Sequence, residues 1–106
     1  MKYQVYIIED HPQYQKDIQK IFESQNDFVL AGMARSVTEA MSYLKDAYEI
    51  DCILLDIGLP DMDGIEAIKL LKNLMPETAV IILSVFDDDN RIFTALKNGA
   101  SGYLIK

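Results

Sequence analysis

Glu9, Asp10, Asp56, Ser84 and Lys106 are the residues of this sequence whose types could do chemistry together. Carboxylates gathered in one crevice repel each other, at a cost in stability that a bound cation relieves. Ligation by oxygen alone favours a hard ion, and a few carboxylates completed by water and a phosphate are the usual surroundings of Mg²⁺. Lys106 supplies a compact positive charge and Ser84 a hydroxyl donor. Metal, cation, donor and anionic nucleophile are the parts that stabilise a phosphoryl group in transfer. A carboxylate can be that nucleophile, and its product is an acyl phosphate.

These residues are distant in sequence, so the chemistry depends on elements that bring them together. Short apolar runs recur along the chain: Val5-Tyr6-Ile7-Ile8, Phe28-Val29-Leu30-Ala31, Cys52-Ile53-Leu54-Leu55, Ala79-Val80-Ile81-Ile82-Leu83 and Tyr103-Leu104-Ile105. Three are nearly all apolar rather than alternating, which suits strands of a parallel sheet buried on both faces. Helical patterns lie between them. Pro12 occupies a first helical position ahead of Tyr14, Ile18, Ile21 and Phe22. Ser36 and Glu39 have capping-box spacing ahead of Ala40, Met41, Leu44 and Tyr48. Asp63 and Glu66 repeat that spacing before Ile68, Leu71 and Leu74, with Pro76 as a stop. Asp88 or Asp89 could cap a fourth helix through Ile92, Ala95 and Leu96, which Asn98-Gly99 would end in a left-handed conformation.

Strand and helix thus alternate four times before a fifth strand, which with right-handed crossovers predicts a doubly wound parallel α/β fold. Ligands of open parallel sheets bind at the carboxyl ends of the strands. The first strand ends in Glu9-Asp10, the third in Asp56, the fourth in Ser84 and the fifth in Lys106; the second ends in Gly32-Met33, with nothing reactive. Four strands therefore deliver a polar group to one edge. The chain stops one residue after the last apolar run, where a further helix would normally cover one face of the sheet. The expectation is one domain over residues 1–106, truncated after its fifth strand, with that face covered by something else or left open.

Composition narrows the function. One hundred and six residues, half of them hydrophobic and a quarter charged, make one globular domain. The net charge of −7 repels a phosphate backbone, so direct nucleic-acid binding by this chain is not expected. One cysteine excludes an internal disulfide, and no Cys/His pair has zinc-site spacing. The amino terminus turns acidic too early for a signal peptide, and no apolar run approaches the ~18 residues of a membrane span. A soluble cytoplasmic protein is expected. No glycine-rich phosphate loop is present, and Asp61-Met62-Asp63-Gly64 carries acids without EF-hand spacing. His11, beside Pro12, reads as a helix cap, and Cys52 as an inert core thiol.

The ordered set Glu9-Asp10, Asp56-Ile57-Gly58-Leu59-Pro60-Asp61-Met62-Asp63-Gly64, Ser84 and Tyr103-Leu104-Ile105-Lys106 resembles the receiver domains of two-component response regulators across the whole chain. The resemblance implies a flavodoxin-like five-stranded sheet of order 2-1-3-4-5, here lacking the final helix. It makes Asp56 the phosphoacceptor and a ligand of Mg²⁺, with Asp10, Glu9 directly or through water, and the Gly58 carbonyl as the other ligands. Ser84 and Lys106 would hold phosphoryl oxygens, and Tyr103 would be an aromatic switch responding to Ser84; packing against the fourth helix is the plainer role for that ring. The donor would be a phosphohistidine on a sensor histidine kinase or a small molecule such as acetyl phosphate. Asp10-His11-Pro12 and Leu83-Ser84-Val85 look like the branch whose receivers precede a helix-turn-helix DNA-binding domain, so the output would be transcription. Without a final helix, an apolar strip would be exposed, which favours a homodimer or an exchanged oligomer. Two other readings compete with this switch. A Mg²⁺-dependent phosphatase with an aspartyl nucleophile wants an acid two residues after that nucleophile, where this chain has Gly58. An interaction module that kept the fold without the phosphotransfer is opposed by the intact set of polar groups.

Overall fold

The five apolar runs become the strands of one parallel sheet in the computed structural model, which describes residues 2–47, 49–59, 61–84 and 89–105. The strands are β1 (Tyr3–Ile8), β2 (Phe28–Ala34), β3 (Cys52–Asp56), β4 (Ala79–Ser84) and β5 (Gly102–Ile105). Between them run α1 (Pro12–Glu23), α2 (Val37–Leu44), α3 (Gly64–Leu74) and α4 (Asp89–Lys97). The sheet order is β2-β1-β3-β4-β5, as the resemblance implies. The expectations placed on Tyr48, Asp88 and Lys106 lie outside the described residues.

Alternation of side chains across the pleat divides the core into two unequal halves. Tyr6, Ile8, Ile53, Leu55, Val80 and Ile82 form one buried cluster with Val37, Ala40 and Leu44 of α2, Ala67, Ile68 and Leu71 of α3, and Ala95 of α4. The opposite face meets α1, no residue of which is fully buried. There Tyr14, Ile18, Ile21 and Phe22 face Leu54, Leu83, Leu104 and Ile105 across an open apolar groove. Ile21 is 58% exposed, and Leu104 and Ile105 are each 52% exposed. The expected burial on both faces therefore holds for one face and is incomplete on the other.

Local chemistry explains most element boundaries. His11 caps α1 by accepting the Gln13 N–H on Nδ1 at 3.2 Å, with Pro12 as the first helical residue. At α2, Ser36 Oγ accepts the Glu39 N–H at 3.1 Å, the expected cap. Asp63 stands at the N-cap of α3 but makes no side-chain cap bond; its exposed carboxylate leaves the first N–H groups of that helix to other acceptors. Gly99, at φ 116°, ends α4 in the left-handed region, and the Gly99 and Ala100 N–H groups donate back to Leu96 and Ala95. β2 runs on to Ala34, past the apolar run that signals it. The register shifts between Val5 and Tyr6, which sets Tyr6 beside Gly32. A Cβ on Gly32 would lie 2.7 Å from Cε2 of Tyr6, so glycine lets the ring pack there and stack on Tyr43 at 4.9 Å.

Candidate metal centre

Register brings the polar strand ends to one edge of the sheet. Ile8 of β1 is paired with Leu55 of β3, and Leu55 with Ile82 of β4. Glu9 and Asp56 therefore both lie one residue beyond the same row. Asp56 is in turn paired with Leu83, so Ser84 stands one residue further along the adjacent strand. Glu9, Asp10 and Asp56 each present a carboxylate oxygen, and these oxygens lie within 4.8 Å of one another. Glu9 is fully buried, Asp56 is 7% exposed and Ser84 3% exposed; Asp10 is half-buried.

Two acids this buried and this close carry a large electrostatic cost unless opposite charge is near. The donor set is all oxygen, anionic and convergent. It therefore fits a hard divalent cation of the Mg²⁺ type better than a soft metal. The turns at the strand ends hold these acids in place. The Glu9 N–H donates to the Ala34 carbonyl at 2.9 Å, and one Glu9 carboxylate oxygen accepts the His11 N–H at 3.1 Å. The Gly58 N–H donates to Asp56 Oδ1 at 3.0 Å, so the turn after β3 folds back onto the acid that ends it. A Cβ on Gly58 would sit 3.6 Å from that oxygen, in ordinary contact.

The other residues singled out from sequence are placed less uniformly. Tyr103 is paired with Ile82 across β4 and β5 and is 45% exposed, so its ring is not enclosed by packing against α4. His11 acts as a helix cap, and Cys52 is half-buried on β3. One residue beside the site and one on the loop that follows Asp56 escaped sequence reasoning. Gln15 donates from Nε2 to the Glu9 carbonyl at 2.6 Å, fastening the β1–α1 turn to the helix that follows. Asp61 reaches the start of α2, 23 and 24 residues away. A polar residue on an amphipathic helix gives no local sign of the first contact. The second joins segments whose proximity exists only in the fold.

The response regulator receiver domain profile matches residues 5–106. The chain is 34% identical over 105 residues to the transcriptional regulatory protein DegU of Brevibacillus brevis, an alignment covering 99% of this chain and 44% of DegU. It spans about half the length of the curated relatives it matches. The signal receiver domain of the response regulator NarL from Mycobacterium tuberculosis superposes with a TM-score of 0.88 at 27% identity, over 98% of this chain and 83% of that one. A chain of the CheX–CheY–BeF3⁻–Mg²⁺ complex from Borrelia burgdorferi superposes with a TM-score of 0.89 at 28% identity, over 98% of this chain and 78% of that one.

Proposed function

Because the chain belongs to the response regulator receiver domain family, we propose that it is a phosphorylation-dependent signalling switch with Asp56 as its acceptor. Domains of this family in transcriptional regulators are switches rather than enzymes in the ordinary sense. The observation that carries the proposal is the convergence of the Glu9, Asp10 and Asp56 carboxylates within 4.8 Å, at the strand ends where an open parallel sheet binds ligands.

Glu9, Asp10, Asp56 and the Gly58 carbonyl would hold Mg²⁺, whose charge offsets that of the acids and of the phosphoryl oxygens. An Asp56 carboxylate oxygen attacks phosphorus in line with the leaving group. The P–N bond of a kinase phosphohistidine, or the P–O bond of acetyl phosphate, breaks, and its electron pair leaves with the imidazole or the acetate. The product is a mixed anhydride on Asp56. Ser84 donates its hydroxyl to one phosphoryl oxygen, and Lys106 brings a positive charge to another. Tyr103 reports the change at Ser84 to the surface of α4 and β5, and the switch is a shift in population between two arrangements of that surface. The partners are a sensor histidine kinase and, through a DNA-binding portion of a longer regulator, a promoter; the setting is the cytoplasm.

Intact-mass spectrometry after incubation with Mg²⁺ and acetyl phosphate tests this. The expected result is one phosphoryl adduct, removed by hydroxylamine and absent from Asp56→Asn. An adduct of equal yield in Asp56→Asn overturns the assignment of the acceptor.

A further inference from the structure

The N-terminus of α2 is satisfied from two directions. Ser36 supplies its own half: its hydroxyl accepts the Glu39 N–H at 3.1 Å, and its carbonyl accepts the Ala40 N–H at 3.1 Å. That leaves the Val37 and Thr38 N–H groups of the first turn. Both go to Asp61, which belongs to the loop between β3 and α3. Oδ1 accepts from Val37 N at 3.4 Å, and Oδ2 from Thr38 N and from the Thr38 hydroxyl at 3.2 Å each. A carboxylate at this end of a helix also meets the positive end of the backbone dipoles.

The same loop carries the acceptor site. It leaves β3 at Asp56, buries Ile57 and Leu59 in the core, and exposes Gly58 between them. The Gly58 N–H holds Asp56 Oδ1. The carboxylate of Asp61 is thus a distal anchor of the segment whose conformation aims the Asp56 oxygens and the Gly58 carbonyl. We propose that Asp61 is a positioning residue for the Asp56 site, fastening its loop to α2 so that the metal- and phosphoryl-binding geometry is set in part from that helix. This rests on the acceptor reading given above.

The test compares Asp61→Ala with Asp61→Asn in the 106-residue chain. Both remove the negative charge; the asparagine keeps one acceptor oxygen, enough for the Thr38 N–H and hydroxyl, while its NH2 would face the Val37 N–H and accept nothing. Two quantities are read: the Mg²⁺ dissociation constant from amide chemical shifts, and hydrogen exchange of the Gly58 amide without metal. Loss of a partner hydrogen-bonded directly to a metal ligand weakens binding about ten-fold or more; Asp61 bonds α2 and reaches the ligands only through its loop, so about ten-fold is the ceiling. Asp61→Ala is expected to weaken Mg²⁺ binding by about three- to ten-fold and to speed Gly58 exchange, while Asp61→Asn, which keeps the Thr38 bonds, is expected to fall between Asp61→Ala and the parent on both. Equal losses in the two variants would overturn the proposal, because the Thr38 bonds that asparagine keeps would then fasten nothing. So would a lowered melting temperature in Asp61→Ala with Mg²⁺ affinity and Gly58 exchange at parent values, which is the signature of a helix cap and nothing more. If the parent binds no Mg²⁺, the metal reading fails, and the exchange contrast still decides whether Asp61 holds the loop.

Discussion

Desolvation on β3, and secondarily the neighbouring carboxylate of Asp51, pushes the Cys52 thiol up to about 11. The neutral thiol is therefore the native form. An unfolded cysteine ionises at pH 9.0, so its contribution to stability is fully present below that pH and is lost as the pH rises toward about 11. Loss of stability in urea across that alkaline window is expected to be smaller in Cys52→Ala than in the parent. Alkylation of the native thiol at mildly alkaline pH is expected to be slow and to accelerate on unfolding. Native and unfolded protein reacting at the same rate would show that the thiol is not held neutral. At this scale the sequence was informative where a residue acts on its near neighbours. His11 was legible as a cap because its partner, Gln13, is two residues away. Asp61 was not, since its partners lie on another element and the acids around it had only the look of a failed calcium loop.

The elements were legible because each carries its own signal. Continuous apolar runs marked the buried strands, and the Ser36–Glu39 spacing marked the start of α2 correctly. Asp63 and Glu66 have the same spacing, yet Asp63 makes no cap bond; a motif specifies where a cap can form, and the loop's path decides whether it does. The extension of β2 was hidden for a related reason, since it depends on how Tyr6 meets Gly32 across two strands. Gly64, the first residue of α3, offers a test of such packing beside the site. A Cβ there would lie 2.5 Å from Cγ1 of Ile57, whose β-branched side chain, next to Asp56, has little freedom to move. Gly64→Ala is expected to cost about 1–3 kcal/mol despite the better helix propensity of alanine. Gly102 has no atom within 4 Å of an added Cβ, so Gly102→Ala is the control, with a change within about 0.5 kcal/mol. Urea unfolding of both measures the difference, and equal midpoints would mean that the α3 start shifts freely.

Across the whole molecule, placing Glu9, Asp10 and Asp56 together adds local repulsion to a chain of net charge −7. The sequence showed that acids end the first and third strands. It could not show that two of the acids are buried, because burial depends on the turns and helices that close over them. That burial turns the site into a lever on global stability. A cation that binds the folded chain alone stabilises it by mass action, about 1.4 kcal/mol at ten times its dissociation constant, or roughly 5–10 °C for a domain of this size. Mg²⁺ is expected to raise the melting temperature by that order, whereas NaCl at matched ionic strength acts only by screening, which is weak for buried charges, and gives a smaller rise. Asp10→Asn removes one of the three charges from the half-buried member of the cluster. It is expected to melt no lower than the parent without metal and to lose most of the Mg²⁺ increment. Calorimetry on the two proteins in the two salts separates the terms. An equal rise in NaCl and Mg²⁺, undiminished in Asp10→Asn, would mean that the cation acts on overall charge and that these three carboxylates do not form a binding site.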